Sequence, residues 1–323
     1  MTPAFKIIAA GINITPQIKD RLLGLTVNDE AGFKSDTVEI ELDDRDNAIE
    51  LPLPGAPIAV FMGYEETFLV PMGVYTAEEV LAKGPPDTVT IRGKAANMGG
   101  EMQEQKTRNW DDMTIGDIVA TIAGEHELEP KVAERLAGFH YEHLDQTDES
   151  DMNFLTRIAQ DHDALATVKG EALLFIGRGE GLTASGLPML PVPITRTGQI
   201  KWQMTLASRG NFQSVEAYWH DEETGNRQTV TVGEGSPVRK LRHVHATEEE
   251  AETAAQARLD EAERGTDTLK VTMPGNPLIA AEGQILAIGF RIGVSGTWSI
   301  TSTKHEINGR GFTTQIMTEK PKA

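Results

Sequence analysis

His243 and His245 are separated by one residue, a spacing that on a strand turns both imidazoles to one face, where a nearby carboxylate would complete a metal site. No third ligand stands near them in sequence, so an ordinary histidine pair is the favoured reading. His140 and His143 would pair on a helical turn with Asp145 close by, and the same ligand count favours a surface turn. The run Asp43-Asp44-Arg45-Asp46-Asn47 has the composition of a calcium loop. It lacks the glycine and the distal glutamate at the required offsets, which leaves a solvated turn. Gly177, Gly179 and Gly181 are spaced closely enough to cradle phosphate, yet no helix pattern follows and Glu180 would repel the ligand. His126-Glu127 and His305-Glu306 each lack the second histidine of a metalloprotease helix, and Gly293-Val294-Ser295-Gly296 misses the nucleophile-elbow spacing. With 49 acidic residues some carboxylate pair must have the separation of a glycosidase, but aromatics are only 6% and scattered, so a sugar-binding cleft is not indicated. No residue is assigned a catalytic, cofactor-binding or metal-binding role, and no cofactor is expected.

The elements that would position such groups belong to a soluble globular chain of 323 residues, enough for about two domains or for one with an insertion. Thirty Lys and Arg against 49 Asp and Glu leave a formal charge of −19, which argues against a surface that binds nucleic acid or anionic membrane. A conduit through which DNA slides without sticking would instead favour a repulsive lining. There is no cysteine, so disulfides, thiolate nucleophiles and Cys-based zinc sites are excluded. The N-terminus has no basic region ahead of its short apolar run and does not read as a signal peptide. The longest uncharged stretch, Gly181 to Thr195, is broken by Pro188, Pro191 and Pro193 and reads as a linker, not a bilayer span.

Three zones follow from hydrophobic period. From Phe5 to about Ala95, alternation such as Val38, Ile40 and Leu42 against Thr37, Glu39 and Glu41 predicts short strands, with a turn at Asp29 to Asp36 and a proline-rich break at Leu51 to Pro57. From Trp110 to about Gly177 the period changes. Thr114 to Asp117 opens a helix whose apolar face is Ile115, Ile118, Val119 and Ile122, with Gly124 as a C-cap. Ser150 or Asp151 caps a second helix bearing Phe154, Leu155 and Ile158. A Lys169-Gly170 turn then leads into the apolar strand Ala172 to Ile176. From about Gln199 onward strands return around one helix, capped by Thr247 and Glu250 and stopped at Gly265. A terminal hairpin closes on Asn308-Gly309.

The wording and order of these segments resemble the late control gene D protein family of contractile-tailed bacteriophages. The likeness rests on Val38 to Asp44, Leu51 to Gly55, Gly73 to Thr76, Arg108-Asn109-Trp110, Thr114 to Ile118, and Gln146 to Ala159 with its Gln-x-x-x-Ser-Asp-x-x-Phe-Leu-x-Arg pattern. It implies a mainly β fold with an α+β insertion: two related antiparallel β-barrel domains of the tail-hub, tube-like kind and a small helical insert. The expected units are residues 1–107, with strands from 186–205 completing the first barrel, then the insertion at 108–183, then a second barrel at 184–323 with its helix at about 247–264.

The resemblance further implies a structural baseplate hub rather than an enzyme, located in the virion tail and assembled in the bacterial cytoplasm. A homotrimer would make a ring of six similar barrels, joining a sixfold tail tube or tube-initiator protein to a trimeric central spike. The tape measure protein and other baseplate proteins are further partners, DNA passes through without specific binding, and no membrane insertion is implied. The alternatives are the hub of a tailocin or type VI-like secretion apparatus, or a peptidoglycan-cleaving tail enzyme.

Overall fold

The computed structural model describes all residues except 34, 96–99, 180–189, 207–211, 222–223, 265–266 and 322–323. The first zone holds β1 (Pro3–Ala9), β2 (Ile12–Asn13), α1 (Thr15–Ile18), β3 (Leu22–Glu30), β4 (Thr37–Asp43), β5 (Pro57–Tyr64), β6 (Leu69–Lys83) and β7 (Thr88–Ala95). The middle zone holds β8 (Gln105–Thr114), α2 (Ile115–Glu125), β9 (Glu129–Val132), α3 (Glu134–Ala137), β10 (His140–Ser150), α4 (Asp151–Asp161), β11 (Ala164–Lys169) and β12 (Ala172–Gly177). The last zone holds β13 (Val192–Thr195), β14 (Lys201–Leu206), β15 (Ser214–Asp221), β16 (Asn226–Gly233), β17 (Val238–His245), α5 (Glu248–Arg264), β18 (Asp267–Pro274), β19 (Gln284–Ile288), β20 (Gly296–Asn308) and β21 (Gly311–Glu319). No described helix is long and apolar enough to cross a membrane.

Strict alternation in the outer zones builds one 13-stranded sheet rather than two separate ones. Its main path runs β14-β18-β21-β20-β3-β4-β7-β6-β5-β1-β2, with β19 and β13 branching from β20. The junction is the antiparallel pairing of β20 with β3, in which Ile307 opposes Leu25 and His305 opposes Val27. Inward residues of the first half, among them Leu25, Val38, Ile40, Val60 and Ile91, fill one core. Those of the second half, including Val271, Ile285, Trp298 and Ile316, fill another. Each such fully buried apolar side chain contributes about 1.5–3 kcal/mol.

The two halves share a device. Long strand β6 pairs through its N-terminal part with β5 and through its C-terminal part with β7. Long strand β20 pairs through its N-terminal part with β19 and through the rest with β21 and β3. Bulges in these pairings mark the bends, as expected where a strand changes layer. Neither half closes on itself among the described residues, so the barrel character lies in the curl of a shared sheet. The strands within 186–205 join the second half, not the first: β13 runs parallel to β19, and β14 is antiparallel to β18.

The middle zone forms its own core from the apolar faces of α2 and α4, Trp110, Tyr141 and the strands β11 and β12. Thr114 and Asp117 make the expected capping box, but α2 runs past Gly124 to Glu125, and Glu127 takes the left-handed turn at φ 56°. A second addition, the sheet β16-β15-β17, is covered by α5, whose Ala251, Ala255 and Leu259 pack on Val215 and Ala217. Thr247 Oγ1 accepts the Glu250 N–H as the capping motif requires. The expected stop at Gly265 and most of the Gly181 to Thr195 stretch lie outside the described residues, while 192–195 is strand, not linker. In the terminal hairpin Asn308 opposes Gly311, so the turn centres on Gly309-Arg310, one residue later than expected, and Gly311 carries the positive φ of 118°.

Candidate functional site

The Gln146 to Arg157 segment and the Arg108-Asn109-Trp110 segment meet on one buried polar network. Arg108 and Trp110 share a face of β8, and Gln146 opposes Arg108 on β10. The Gln146 carbonyl oxygen accepts from Arg108 Nε at 2.9 Å and from Trp110 Nε1 at 3.2 Å. Its amide donates to Asp151 Oδ1 at 2.8 Å. Asp151, fully buried, also receives Arg108 Nη2 at 2.7 Å and Lys106 Nζ at 2.6 Å, with His126 Nε2 2.9 Å away. Burial acts to raise the Asp151 carboxyl, but the hydrogen bonds from Gln146, His126 and Lys106 and the charge of Arg108 outweigh it and hold the group below the usual range. The Trp110 ring stacks on Phe154 at 5.6 Å, and the Arg108 guanidinium lies 4.3 Å from the same indole.

Glu125, His126 and Asp151 bring one ligand atom each within 4.8 Å of one another, the only such group among the described residues. Lys106 and Arg108 already occupy the oxygens of both carboxylates, since Glu125 pairs with them at 2.9 and 2.5 Å. A metal ion there would have to displace two cations, so the chemistry of the group is that of an ion-pair network.

A second buried cluster joins the three zones. Lys169, at the end of β11, reaches Asp29 Oδ1 at 2.5 Å, Asp36 Oδ2 at 3.2 Å and Glu282 Oε2 at 3.7 Å. The remaining carboxylate oxygens accept backbone N–H groups: Asp29 from Ala281, Asp36 from Glu30, and Glu282 from Gly32. Burial pushes the Glu282 carboxyl up to about 7 despite the attraction of Lys169, and Asp29 and Asp36 add to the rise. Burial and the neighbouring Asp29 also raise Asp36. Burial opposes the Lys169 charge, yet the three acids more than compensate and hold its ammonium protonated.

The third feature is a surface. One row of directly opposed residues crosses eight strands: Lys201, Thr272, Gln315, Lys304, Asn28, Thr37, Lys94 and Thr76. A parallel row runs through Thr313, Glu306, Thr26, Glu39, Arg92 and Glu79. Both rows face away from the cores, because the residues between them, such as Thr314, His305, Val27 and Val38, are the inward ones, while a bulge on β6 turns Glu78 outward beside Glu79. The face is polar along most of both rows, with Pro274 and Leu81 at its flanks, and is built half from each four-strand group, β14-β18-β21-β20 and β3-β4-β7-β6. Part of it is a shallow depression of about 430 Å³ lined by Asn28, Glu39, Glu79, Arg92, Lys94 and Lys304 among others.

The sequence-derived candidates fare as follows. His243 and His245 do share a face of β17, with ring centroids 4.8 Å apart, but no carboxylate joins them in a ligand group among the described residues. His245 is buried, and burial with the nearby His243 lowers it to about 4, which keeps it neutral. His140 and His143 lie on strand β10, not on a turn, so three-residue spacing sends them to opposite faces, His140 beside Asp112 at 2.8 Å and His143 between Asp111 at 2.5 Å and the expected Asp145 at 3.1 Å. Asp43 and Asp46 spend their charge on Arg45 and Arg21. Arg178 and Gly179 follow β12, while Glu180 and Gly181 lie outside the described residues. Sequence reasoning missed the Lys169 cluster, whose partners are far away in the chain, and the partners of Asp151; for the latter the alternation of Lys106, Arg108 and Trp110 was an available signal.

The family model described as phage tail baseplate hub (GPD) matches residues 36–311. A probable baseplate hub protein of Escherichia phage 186 is 32% identical, covering 99% of this chain and 93% of its own length. Its counterpart in Escherichia phage P2 is 33% identical with the same coverage. Among solved structures, the 43 kDa tail protein of prophage MuSo2 from Shewanella oneidensis has the same fold, with a TM-score of 0.74 at 15% identity over 99% of both chains. A family match that spans most of the chain, together with relatives alike over nearly its full length, means that this chain belongs to the phage tail baseplate hub family.

Proposed function

We propose that this baseplate hub acts as a noncatalytic homotrimer in the virion tail, joining the tail tube or a tube-initiator protein to a trimeric central spike and leaving a passage for DNA. The observation that carries the reading is the eight-strand polar face divided into two similar four-strand groups. Three copies would present six such groups, which suits a sixfold partner on one side and a threefold partner on the other. Among the described residues the face also has two open edges, β14 and the C-terminal part of β6 beyond its pairing with β5. Unpaired strand edges call for a partner, and pairing between copies would satisfy both at once. The units are taken as 1–107, 108–183 and 184–323, with the tape measure and other baseplate proteins as additional contacts and assembly in the bacterial cytoplasm.

The test is the mass of the purified protein by light scattering, alone and with its central spike protein. A trimer, or a monomer that becomes three-to-three with the spike, is expected. A monomer indifferent to the spike would refute the arrangement. Because each subunit carries −19, association must rest on apolar and backbone contacts and should survive moderate salt.

A further inference from the structure

We infer that the polar sheet face is the wall along which the DNA phosphates move, and that it stays non-adhesive by internal pairing of most of its cations rather than by an excess of acid. The inference rests on the hub reading above and specifies the surface that reading leaves open. The net charge of −19 predicts an acidic lining, but the acids are not concentrated here. The two rows and their immediate neighbours carry nearly equal numbers of basic and acidic groups, interleaved with threonine, asparagine and glutamine.

What distinguishes the face is how its charges are arranged: of the four cations in the two rows, Arg92, Lys94 and Lys304 sit against carboxylates, and only Lys201, on the edge strand β14, has no ion-pair partner among the described residues. Arg92 is clamped between Glu39 and Glu79, on the strands either side of it, at 2.8 Å each. Lys94 meets Glu78 at 2.9 Å, Lys304 meets Glu306 at 2.9 Å, and Lys83 lies 3.8 Å from Glu41. These pairs are about half exposed, so they add little to stability. Their effect is on the field instead. A cation with a carboxylate in contact offers a passing phosphate no net attraction, and releases no counterion on contact, which is the term that drives nonspecific DNA binding. Hydroxyl and amide groups between the pairs hydrogen-bond water and bring no charge. A wall of this kind neither holds the polyanion nor repels it strongly enough to obstruct its passage.

The experiment compares two triple variants of the full chain. Glu39→Gln/Glu79→Gln/Glu306→Gln releases Arg92 and Lys304 on the wall. Glu65→Gln/Glu129→Gln/Glu216→Gln makes the same change in charge elsewhere, releasing Lys19, Lys131 and Lys240. All six glutamates are at the surface or partly so and the replacements are isosteric, and thermal melts confirm folding. Binding of a ~30-bp duplex is followed by fluorescence anisotropy at ~50 mM salt, with affinity expected to rise roughly tenfold or more for the wall variant and to vanish at high salt. The wild type and the control variant are expected to stay unbound. Equal capture by both variants, or capture by neither, overturns the wall assignment. Light scattering on the same samples reports the hub reading separately: a wild-type chain that remains monomeric with its spike removes the passage itself, whatever the DNA result.

Discussion

Gln146 and Asp151 show how a motif that reads as a helix start can be a tie between elements. The spacing allowed either Ser150 or Asp151 to be the N-cap, and the structure separates them: Ser150 Oγ accepts the Asn153 N–H, while Asp151 turns inward to the cations of β8. That division was not legible from the helix start alone, because the capping rule rates the two residues alike; the signal that favoured Asp151 as the inward one, the alternation of Lys106, Arg108 and Trp110, lies more than forty positions upstream. Removing one partner of a buried charge pair leaves the other uncompensated. Asp151→Ala is therefore expected to destabilise the fold by about 3–5 kcal/mol, the range for broken buried pairs. The substitution Gln146→Ala strips a carbonyl from Arg108 and Trp110 and an amide from Asp151, and is expected to cost about 1–3 kcal/mol. Chemical denaturation reads both values, and an unchanged midpoint for Asp151→Ala would mean that the network contributes nothing to folding.

At the scale of elements, period and caps were legible and the bends were not. Val38, Ile40 and Leu42 face the core as alternation predicts, and Thr114, Ser150 and Thr247 cap the helices that begin beside them. The strands β6 and β20 defeat the same reasoning, because each changes partner midway and a period of two cannot indicate where. His140 and His143 were misplaced for a related reason. A strand as charged as β10 has little hydrophobic alternation to mark it, and it is held as much by its long pairing with β8 as by burial. Local caps remain simple to test. Ser150→Ala should cost about 1 kcal/mol, whereas Ser150→Asp should restore most of it, since an aspartate oxygen accepts from the same N–H group. If Ser150→Asp were as damaging as Ser150→Ala, some feature of the site other than the cap bond would be responsible.

For the whole molecule, the Lys169 cluster ties the insert to both halves of the sheet, and it makes their union depend on pH. The sequence could not reveal it: Lys169 is 140 residues from Asp29 and lies in a stretch that reads as an ordinary turn. The carboxyl of Glu282 titrates near 7 in the fold against an ordinary value of 4.5, because it is buried and two other acids compete for the same ammonium. As pH rises past 4.5 the unfolded chain gives up this proton first, while the native state still holds it. Folding stability from this group is thus fully present below about pH 4.5 and is lost as pH climbs to about 7, at roughly 1.4 kcal/mol per pH unit at most, then levels off. Asp36, raised by burial and by Asp29, acts in the same direction. The wild type should therefore lose stability between pH 5 and pH 8 on account of this cluster. The substitution Glu282→Gln keeps an oxygen for the Gly32 N–H and carries no charge to bury, so it should flatten that loss, melting above the wild type at pH 8 but not at pH 5. Melting curves for both chains at the two pH values decide the matter, because a pH 5 to pH 8 difference identical in the two would place the titrating group elsewhere.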